Sequence, residues 1–461
     1  MSNLTLLEDL ENIVGPAGII TGQALAGRSA GIWSSQELRA LALVRPGSTE
    51  EVSQIMRICH QARQTVIPAG GMTGLAGGHE STDADIVLST ERMNRIESID
   101  PAARIMVVEA GVILQSVHEA VAEVGLMFAL DLGARASCTI GGNIATNAGG
   151  VRVLRYGMMR EQLLGLEVVL ADGTVVSSMF DMLKNNTGYD LRQMFVGSEG
   201  TLGVVTRAVL RLHEAPKGVE TALLAVPTWQ QVMNLLRHFD AALPGALGAF
   251  EVLWRDHYAL NTSEYSDISP PLTEPAPYYV LMDVFVSDYE QDRSRLEELL
   301  GGCFERGEII DGALASSERE RLRFWQIREN FEPEQKKFDL TYGYDVSLPL
   351  EAMADYVEDL RTRISSRSAQ AELMAYGHIG DGNLHLSIYP GATRDRDVID
   401  EMVYAPLRDL HGSVSAEHGI GIEKKAYLGY TRGANEIELM KNIKRMMDPE
   451  NILNPGKLFD L

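Results

Sequence analysis

DLGARASCTIGGNIATNAGG, residues 131–150, decides the reading of this chain: five glycines alternate with small and hydroxyl side chains, leaving little bulk between the backbone and whatever it contacts. Glycine brings dihedral freedom and lets main-chain N–H groups turn toward phosphate oxygens, while Ser137, Thr139, Asn143, Thr146 and Asn147 add donors. A segment of the same character, PAGGMTGLAGG (68–78), directly follows a strand-like run, and a third, GSEGTLG, spans 197–203. Taken singly, such loops are explained as well by tight turns; three of them together point to a nucleotide-sized ligand. None is the dinucleotide fingerprint G-x-G-x-x-G set between a strand and a helix in one compact unit.

Around these loops the pattern is mixed. Residues 42–67 read as a strand, a helix opened by Ser48 or Thr49 with Ile55, Met56 and Cys59 on one face, and a second strand. Strands are expected at 85–89 and 105–109, a helix near 113–124, and a hairpin of 166–170 with 174–178 through Asp172-Gly173. From about 220 the glycines thin out. ETALLAVP, a helix at 229–242 and GAFEVLW form one strand–helix–strand set; YYVLMDVFV, a helix at 290–300 and YGYDVSLP form another, with a Pro-rich loop at 269–277 between them. This alternation predicts an antiparallel sheet carrying helices on one face.

Composition narrows the function classes. The 461 residues are 45% hydrophobic and 23% charged, ordinary for a soluble protein with more than one core. A formal charge of -23 disfavours a phosphate backbone as partner, so nucleic acid is not expected, and an anionic substrate would need specific cations inside a pocket. Cys59, Cys138 and Cys303 are too few and too scattered for a disulfide framework or a thiolate zinc site. With no basic-then-apolar start and no run long enough to span a bilayer, the expected location is cytoplasmic, at most peripheral to a membrane.

In HIGDGNLH, His378 and His385 flank Gly380-Asp381-Gly382-Asn383, the composition of a tight turn between two strand-like arms, so a closed turn would put both imidazoles on one side. Two neutral imidazoles and a carboxylate are an ordinary ligand set for Zn²⁺ or another divalent ion with open positions. SAEHG (415–419) suggests the third ligand: of Glu417 and His418, one can ligate while the other handles a proton. Asp381 and Asn383 are read as shaping the turn.

The ordered set PAGGMTGLAGG, DLGARASCTIGGNIATNAGG, KNNTGYDLRQMFVGSEGTLGVVT, YGHIGDGNLHLSIY, SAEHGIGIEKK and DPENILNPGKL resembles the vanillyl-alcohol-oxidase-type flavoproteins. Within them it is similar to the branch that holds D-lactate dehydrogenases, D-2-hydroxyglutarate dehydrogenases and one of the chains of glycolate oxidase. The resemblance implies an α+β fold: a split FAD-binding domain of two α+β subdomains with an inserted cap of antiparallel sheet plus helices. The expected bounds are 1–215 for the FAD-binding domain (PCMH-type), 216–412 for the cap, and 413–461 for a segment completing the FAD domain and active site. FAD contacts are expected from Pro68, Gly70, Gly71, Met72, Thr73, Gly74 and Leu75; from Ser137, Cys138, Gly141, Gly142, Asn143, Ala145, Thr146, Asn147 and Gly150; and from Glu199, Gly203, Val205 and Asn454. Covalent members often carry His where this chain has Met72, so non-covalent FAD is expected, although His79 stands nearby. Cys138 is read as a packing residue.

By the same resemblance His378, His385 and Glu417 bind a divalent metal, zinc first and manganese second. His418 is the catalytic base and also touches substrate, and Arg328 in FWQIRENF grips the C1 carboxylate. The reaction implied is oxidation of a D-2-hydroxy acid to the 2-oxo acid, hydride passing to flavin. The electron acceptor would be a quinone, a cytochrome or an electron-transferring flavoprotein, and a homodimer is allowed for. Three positions depart from the 2-hydroxyglutarate branch: Gly343, Glu332 and Ser387 replace its lysine, threonine and asparagine, which favours a D-lactate-like monocarboxylic acid. Ser387 is taken as a substrate contact. D-2-hydroxyglutarate as substrate, or a role as one chain of a glycolate oxidase, is the alternative, and a metallohydrolase acting on a nucleotide-like substrate is the competing class.

Overall fold

A computed structural model describes residues 3–32, 34 and 36–461. The chain divides into two compact units: one holds 1–149, 156–215 and 417–461, the other 150–155 and 216–416. Residues 413–416, read from sequence as part of the closing segment, belong to the second unit, as does the short excursion at 150–155.

The first unit contains two sheets and a two-stranded ribbon. One sheet is built from β1 (Ile19–Ile20), β2 (Ala42–Val44), β3 (Val66–Ala69) and β4 (Ile86–Ser89) in the order β1-β2-β4-β3, and β4 is parallel to both β2 and β3. Parallel pairing needs a crossover, supplied between β2 and β3 by the helix Thr49–Ala62. Ser48 caps that helix by accepting the Glu51 N–H, and Val52, Ile55, Met56 and Cys59 are its buried face. The other sheet contains β5 (Ile96–Asp100), β6 (Ile105–Glu109), β8 (Leu163–Val169), β9 (Val175–Ser178) and β10 (Val204–Arg211), ordered β5-β6-β10-β8-β9 and antiparallel throughout. The ribbon pairs β7 (Leu126–Met127) with β11 (His213–Glu214). Helices Leu114–Ala122 and Ile140–Thr146 close the second core through Leu114, Val117, Val121, Ile140 and Ile144.

The second unit is one seven-stranded sheet. Its strands are β12 (Gly218–Val226), β13 (Leu247–Trp254), β14 (Tyr278–Val286), β15 (Asp311–Leu314), β16 (Tyr342–Ser347), β17 (Glu372–Gly377) and β18 (Asn383–Tyr389). Their order is β15-β12-β14-β13-β17-β18-β16, with every pair antiparallel. Both faces are apolar over β12, β14 and β13: on one, Leu223, Leu253, Tyr279 and Leu281 pack with Tyr258, Phe324 and Ile327 from helices Arg255–Asn261 and Glu318–Glu329, and on the other Trp229 of helix Trp229–Ala242 packs against Trp254 and Tyr278, so helices cover both faces and not one as expected. β17 and β18 form the hairpin expected around 380–383, tightened by Gly382 at φ +86, a conformation glycine adopts without strain. Asp381 and Asn383 shape it: the Asn383 N–H reaches the Asp381 carboxylate at 3.3 Å.

Candidate functional site

In the first unit the glycine-rich loops converge on a cleft of about 930 Å³, open to solvent. Its walls are backbone from Pro68 to Gly74, the helix start at Gly141 and Gly142, Glu199, Val204 and His418. The glycines are needed there because the loops touch one another as well as the space between them. A Cβ on Gly71 would lie 2.1 Å from the Ser137 carbonyl oxygen, and one on Gly141 would lie 2.8 Å from the Ala110 Cβ. Such packing leaves main-chain donors and little side-chain bulk along the cleft, the surface a dinucleotide with a flat ring system requires.

Of the expected FAD contacts, Pro68, Gly70, Gly71, Met72, Thr73, Gly74, Cys138, Gly141, Gly142, Asn143, Ala145, Thr146, Glu199, Gly203 and Val205 line this cleft. Leu75, Ser137, Asn147, Gly150 and Asn454 do not. Leu75 is exposed, Asn147 ends the helix Ile140–Thr146 and accepts the Arg160 N–H, and Gly150 lies in the second unit. Asn454 is a clasp: its amide donates to the carbonyls of Gly78, at 3.0 Å, and Glu199, at 2.7 Å. Glu199 does two things at once. It lines the cleft and its carboxylate accepts the N–H groups of Ile420 and Gly421 at 2.7 and 2.8 Å, which fixes the bend after His418. Burial raises the Glu199 pKa, with those two donors opposing. His79, noted in the sequence only for its proximity to Met72, also lines the cleft; burial lowers its pKa. His418 Nε2 and Glu417 Oε1 are 3.9 Å apart.

The second unit gathers the other predicted groups at the polar end of its sheet. His378 directly follows β17, His385 lies on β18, and their ring centroids are 5.2 Å apart and nearly perpendicular, so the turn does place both imidazoles together. Between His378 and Arg328 stands Glu251 of β13, which no sequence motif singled out. It accepts from His378 Nδ1 at 2.7 Å and from Arg328 Nε at 2.8 Å. Burial opposes its ionisation, but His378 and Arg328 outweigh that and hold its carboxyl down to about 2. An ionised carboxylate only accepts, so Nδ1 of a neutral His378 carries the proton and Nε2 the lone pair, the tautomer of a metal ligand. Arg328 is buried, not solvated, with its guanidinium over the Tyr376 ring at 4.6 Å.

Asp345 on β16, fully buried, is the counterpart at His385: Oδ1 lies 3.8 Å from His385 Nδ1 and accepts from the Asn383 amide at 2.8 Å. Its other oxygen accepts the Ala416 N–H at 3.0 Å, one residue before Glu417. Asp381 is raised to about 6 by burial. Both missed acids had a signal: each is the single charge in a strand otherwise apolar, GAFEVLW and YDVSL. Ser387 is buried and donates to Glu334. Glu332, one of the three departures from the 2-hydroxyglutarate branch, is exposed and paired with Lys336 at 2.9 Å.

Comparison with known proteins gives a family. Residues 40–178 match the FAD binding domain model and 215–458 the C-terminal domain model of FAD linked oxidases. The chain is 41% identical over 417 residues to the mitochondrial D-2-hydroxyglutarate dehydrogenase of Rattus norvegicus, covering 90% of this chain and 77% of that one. It is 39% identical over 427 residues to the D-2-hydroxyglutarate dehydrogenase of Xanthomonas citri pv. viticola, covering 91% and 89%. It is 37% identical over 428 residues to a putative mitochondrial D-lactate dehydrogenase of Schizosaccharomyces pombe, covering 90% and 81%. Among solved structures, an alkyldihydroxyacetonephosphate synthase superposes with TM-score 0.76 at 17% identity, covering 98% of this chain and 86% of that one. The 4-ethylphenol oxidase of Gulosibacter chungangensis superposes with TM-score 0.74 at 20% identity, covering 99% and 97%. These two share the fold.

Proposed function

The chain belongs to the family of FAD-linked oxidases, and from that premise we propose that it oxidises a small D-2-hydroxy acid to the 2-oxo acid. The reading includes non-covalent FAD in the cleft of the first unit and a divalent metal, zinc or manganese, on His378, His385 and Glu417. The observation that carries it is the Glu251 bridge: one buried carboxylate orients both an imidazole suited to a metal and the arginine suited to a substrate carboxylate. The donor set fits a divalent ion of this class.

Bound metal supplies a Lewis acid for the substrate hydroxyl, and bound FAD supplies the acceptor for the C2 hydride. The protein's own groups do the rest. With its Nε committed to Glu251, Arg328 presents Nη1 and Nη2 to the C1 carboxylate as two parallel donors. His418, lining the flavin cleft, takes the hydroxyl proton. Substrate length is the finer question. The names of the relatives favour D-2-hydroxyglutarate, whereas Gly343 and Ser387 favour a monocarboxylic acid such as D-lactate. Electrons then leave to a quinone, a cytochrome or an electron-transferring flavoprotein; among the described residues no helix is long and apolar enough to cross a membrane.

The test is the visible spectrum of the anaerobic protein with D- and L-lactate, D-2-hydroxyglutarate and glycolate, with and without chelator. Bleaching by a D-acid, abolished by chelator and restored by Zn²⁺ or Mn²⁺, is expected. Absence of a flavin band after reconstitution with FAD would sink the proposal and revive the metallohydrolase.

A further inference from the structure

Two residues beyond His385 the same face of the sheet carries another polar feature. Alternation along β18 puts Ser387 on the face of His385, and the residues directly opposite it, Met374 on β17 and Gly343 on β16, share that face. Met374 is covered there by Phe338 and Leu260. Phe338 ends the helix Glu332–Lys337, and Glu334 stands one turn earlier on the same side, its Oε1 accepting the Ser387 hydroxyl. The neighbouring lysines are engaged elsewhere, Lys336 with Glu332 at 2.9 Å and Lys337 with Glu372 at 2.6 Å. Glu334 is therefore a carboxylate held by a neutral hydroxyl beside the histidine pair. Next to it the sheet is open: a Cβ built on Gly343 meets nothing within 4 Å.

We propose that Glu334, fixed by Ser387 beside the opening at Gly343, is the specificity-determining residue that reads the distal end of the hydroxy acid. It accepts a hydrogen bond from a distal hydroxyl, carboxamide or ammonium group and excludes a distal carboxylate. The inference rests on the dehydrogenase reading above. Its geometry follows from strand spacing: Ser387 lies roughly 7 Å along β18 from His385, a distance bridged by a substrate chain two or three carbons longer than lactate. A carboxylate there would face the Glu334 carboxylate, whose helix neighbours Lys336 and Lys337 are paired with Glu332 and Glu372, and like charges brought together cost affinity. A donor group would instead complete the hydrogen bonding of Glu334.

The discriminating substrates are D-2-hydroxyglutarate and its 5-carboxamide, matched in length and shape and different in distal charge. For the unaltered protein the kcat/KM of the amide should exceed that of the acid at least tenfold. Glu334→Gln keeps the size and removes the charge; it should reduce that ratio at least fivefold, chiefly through KM, and tighten equilibrium binding of 2-oxoglutarate followed by the flavin spectrum. Ser387→Ala, which frees the carboxylate without removing it, should give an intermediate ratio. A shift in KM between two matched substrates is not what misfolding or flavin loss produces. A ratio unchanged by Glu334→Gln, or a preference of the unaltered protein for the acid, overturns the assignment and leaves the dehydrogenase reading standing. Failure of every hydroxy acid to bleach the flavin overturns both.

Discussion

Replacing Glu251 with Gln should damage stability and metal binding together, because the one carboxylate serves both His378 and Arg328. The side chain is fully buried, and a carboxyl held at about 2 in place of 4.5 corresponds to about 3 kcal/mol of preference for its ionised form in this setting. Glutamine preserves the shape but leaves the buried Arg328 guanidinium without a counter-charge, the arrangement whose cost is typically about 3–5 kcal/mol. The amide must also donate from its NH2, so if its oxygen stays on Arg328 its nitrogen meets His378 Nδ1. That imidazole then has to move its proton to Nε2, the atom proposed for the metal, and losses of about 10–100-fold in metal affinity are usual for such outer partners. Urea denaturation followed by tryptophan emission reads the first effect, since Trp229, Trp254 and Trp325, three of the four tryptophans, are buried in this unit. A double-mutant cycle with Arg328→Met isolates the pair, with a coupling of at least about 2 kcal/mol expected. A loss below about 1 kcal/mol, no coupling, and unaltered zinc affinity by competition with a chromophoric chelator would refute the bridge as the organising contact.

Other consequences are equally direct. Arg328→Lys removes a fork of donors and should lower kcat/KM for the hydroxy acid by about 10–100-fold, in line with about 1.5–3 kcal/mol for a hydrogen bond to a charged group. His418→Gln should retain the flavin spectrum and slow anaerobic flavin reduction by about 10²–10⁴, the range for a general base. Lys444→Ala should cost about 3–5 kcal/mol in urea denaturation, because Lys444 and Asp448 are 3% and 0% exposed at the side chain and the ammonium also donates to the carbonyls of Thr201 and Leu453. The thiols should be silent: burial raises Cys59 to about 12 and Cys303 to about 11, and pushes Cys138 up as well. Thiolate forms only as pH rises past those values, so an aromatic disulfide reagent at pH 8 should count no reactive thiol in the native protein and three after denaturation.

What the sequence disclosed was whatever local chemistry decides. A glycine-rich turn between two strand-like arms favours a hairpin, so the meeting of His378 and His385 was legible from HIGDGNLH. Glu251 was not, since it reaches His378 across 127 residues of chain, and only the order β13-β17-β18-β16 makes them neighbours. Sheet order depends on non-local pairing, which a local pattern does not encode. The placement of Glu332 and Glu334 was hidden for a different reason. A new short helix, Glu332–Lys337, begins there with Pro333 in its first turn, and its phase turns Glu332 to solvent and Glu334, two residues on, toward Ser387. The residues 150–155 escaped for a third reason: they carry no pattern of their own, and join the second unit through contacts such as Arg155 over the Phe285 ring at 5.0 Å.

The return of residues 417–461 to the first unit also has a physical logic that motif order alone does not reveal. β3 ends in the first glycine loop, and its outer side is met by the chain's last stretch: Val66 bridges Leu453 in parallel and the Val66 N–H donates to Ile452 at 2.8 Å. Asn454, at φ +45, then crosses between Gly78 and Glu199, and Glu199 holds Ile420 and Gly421. The bonds of Asn454 and Glu199 satisfy backbone groups of glycine-rich segments, which have few side chains of their own to do it. The same bonds fix where His418 stands relative to the cleft it lines. Completing the loops and positioning the proposed base are thus one set of hydrogen bonds, made between residues 221 to 376 apart in the chain.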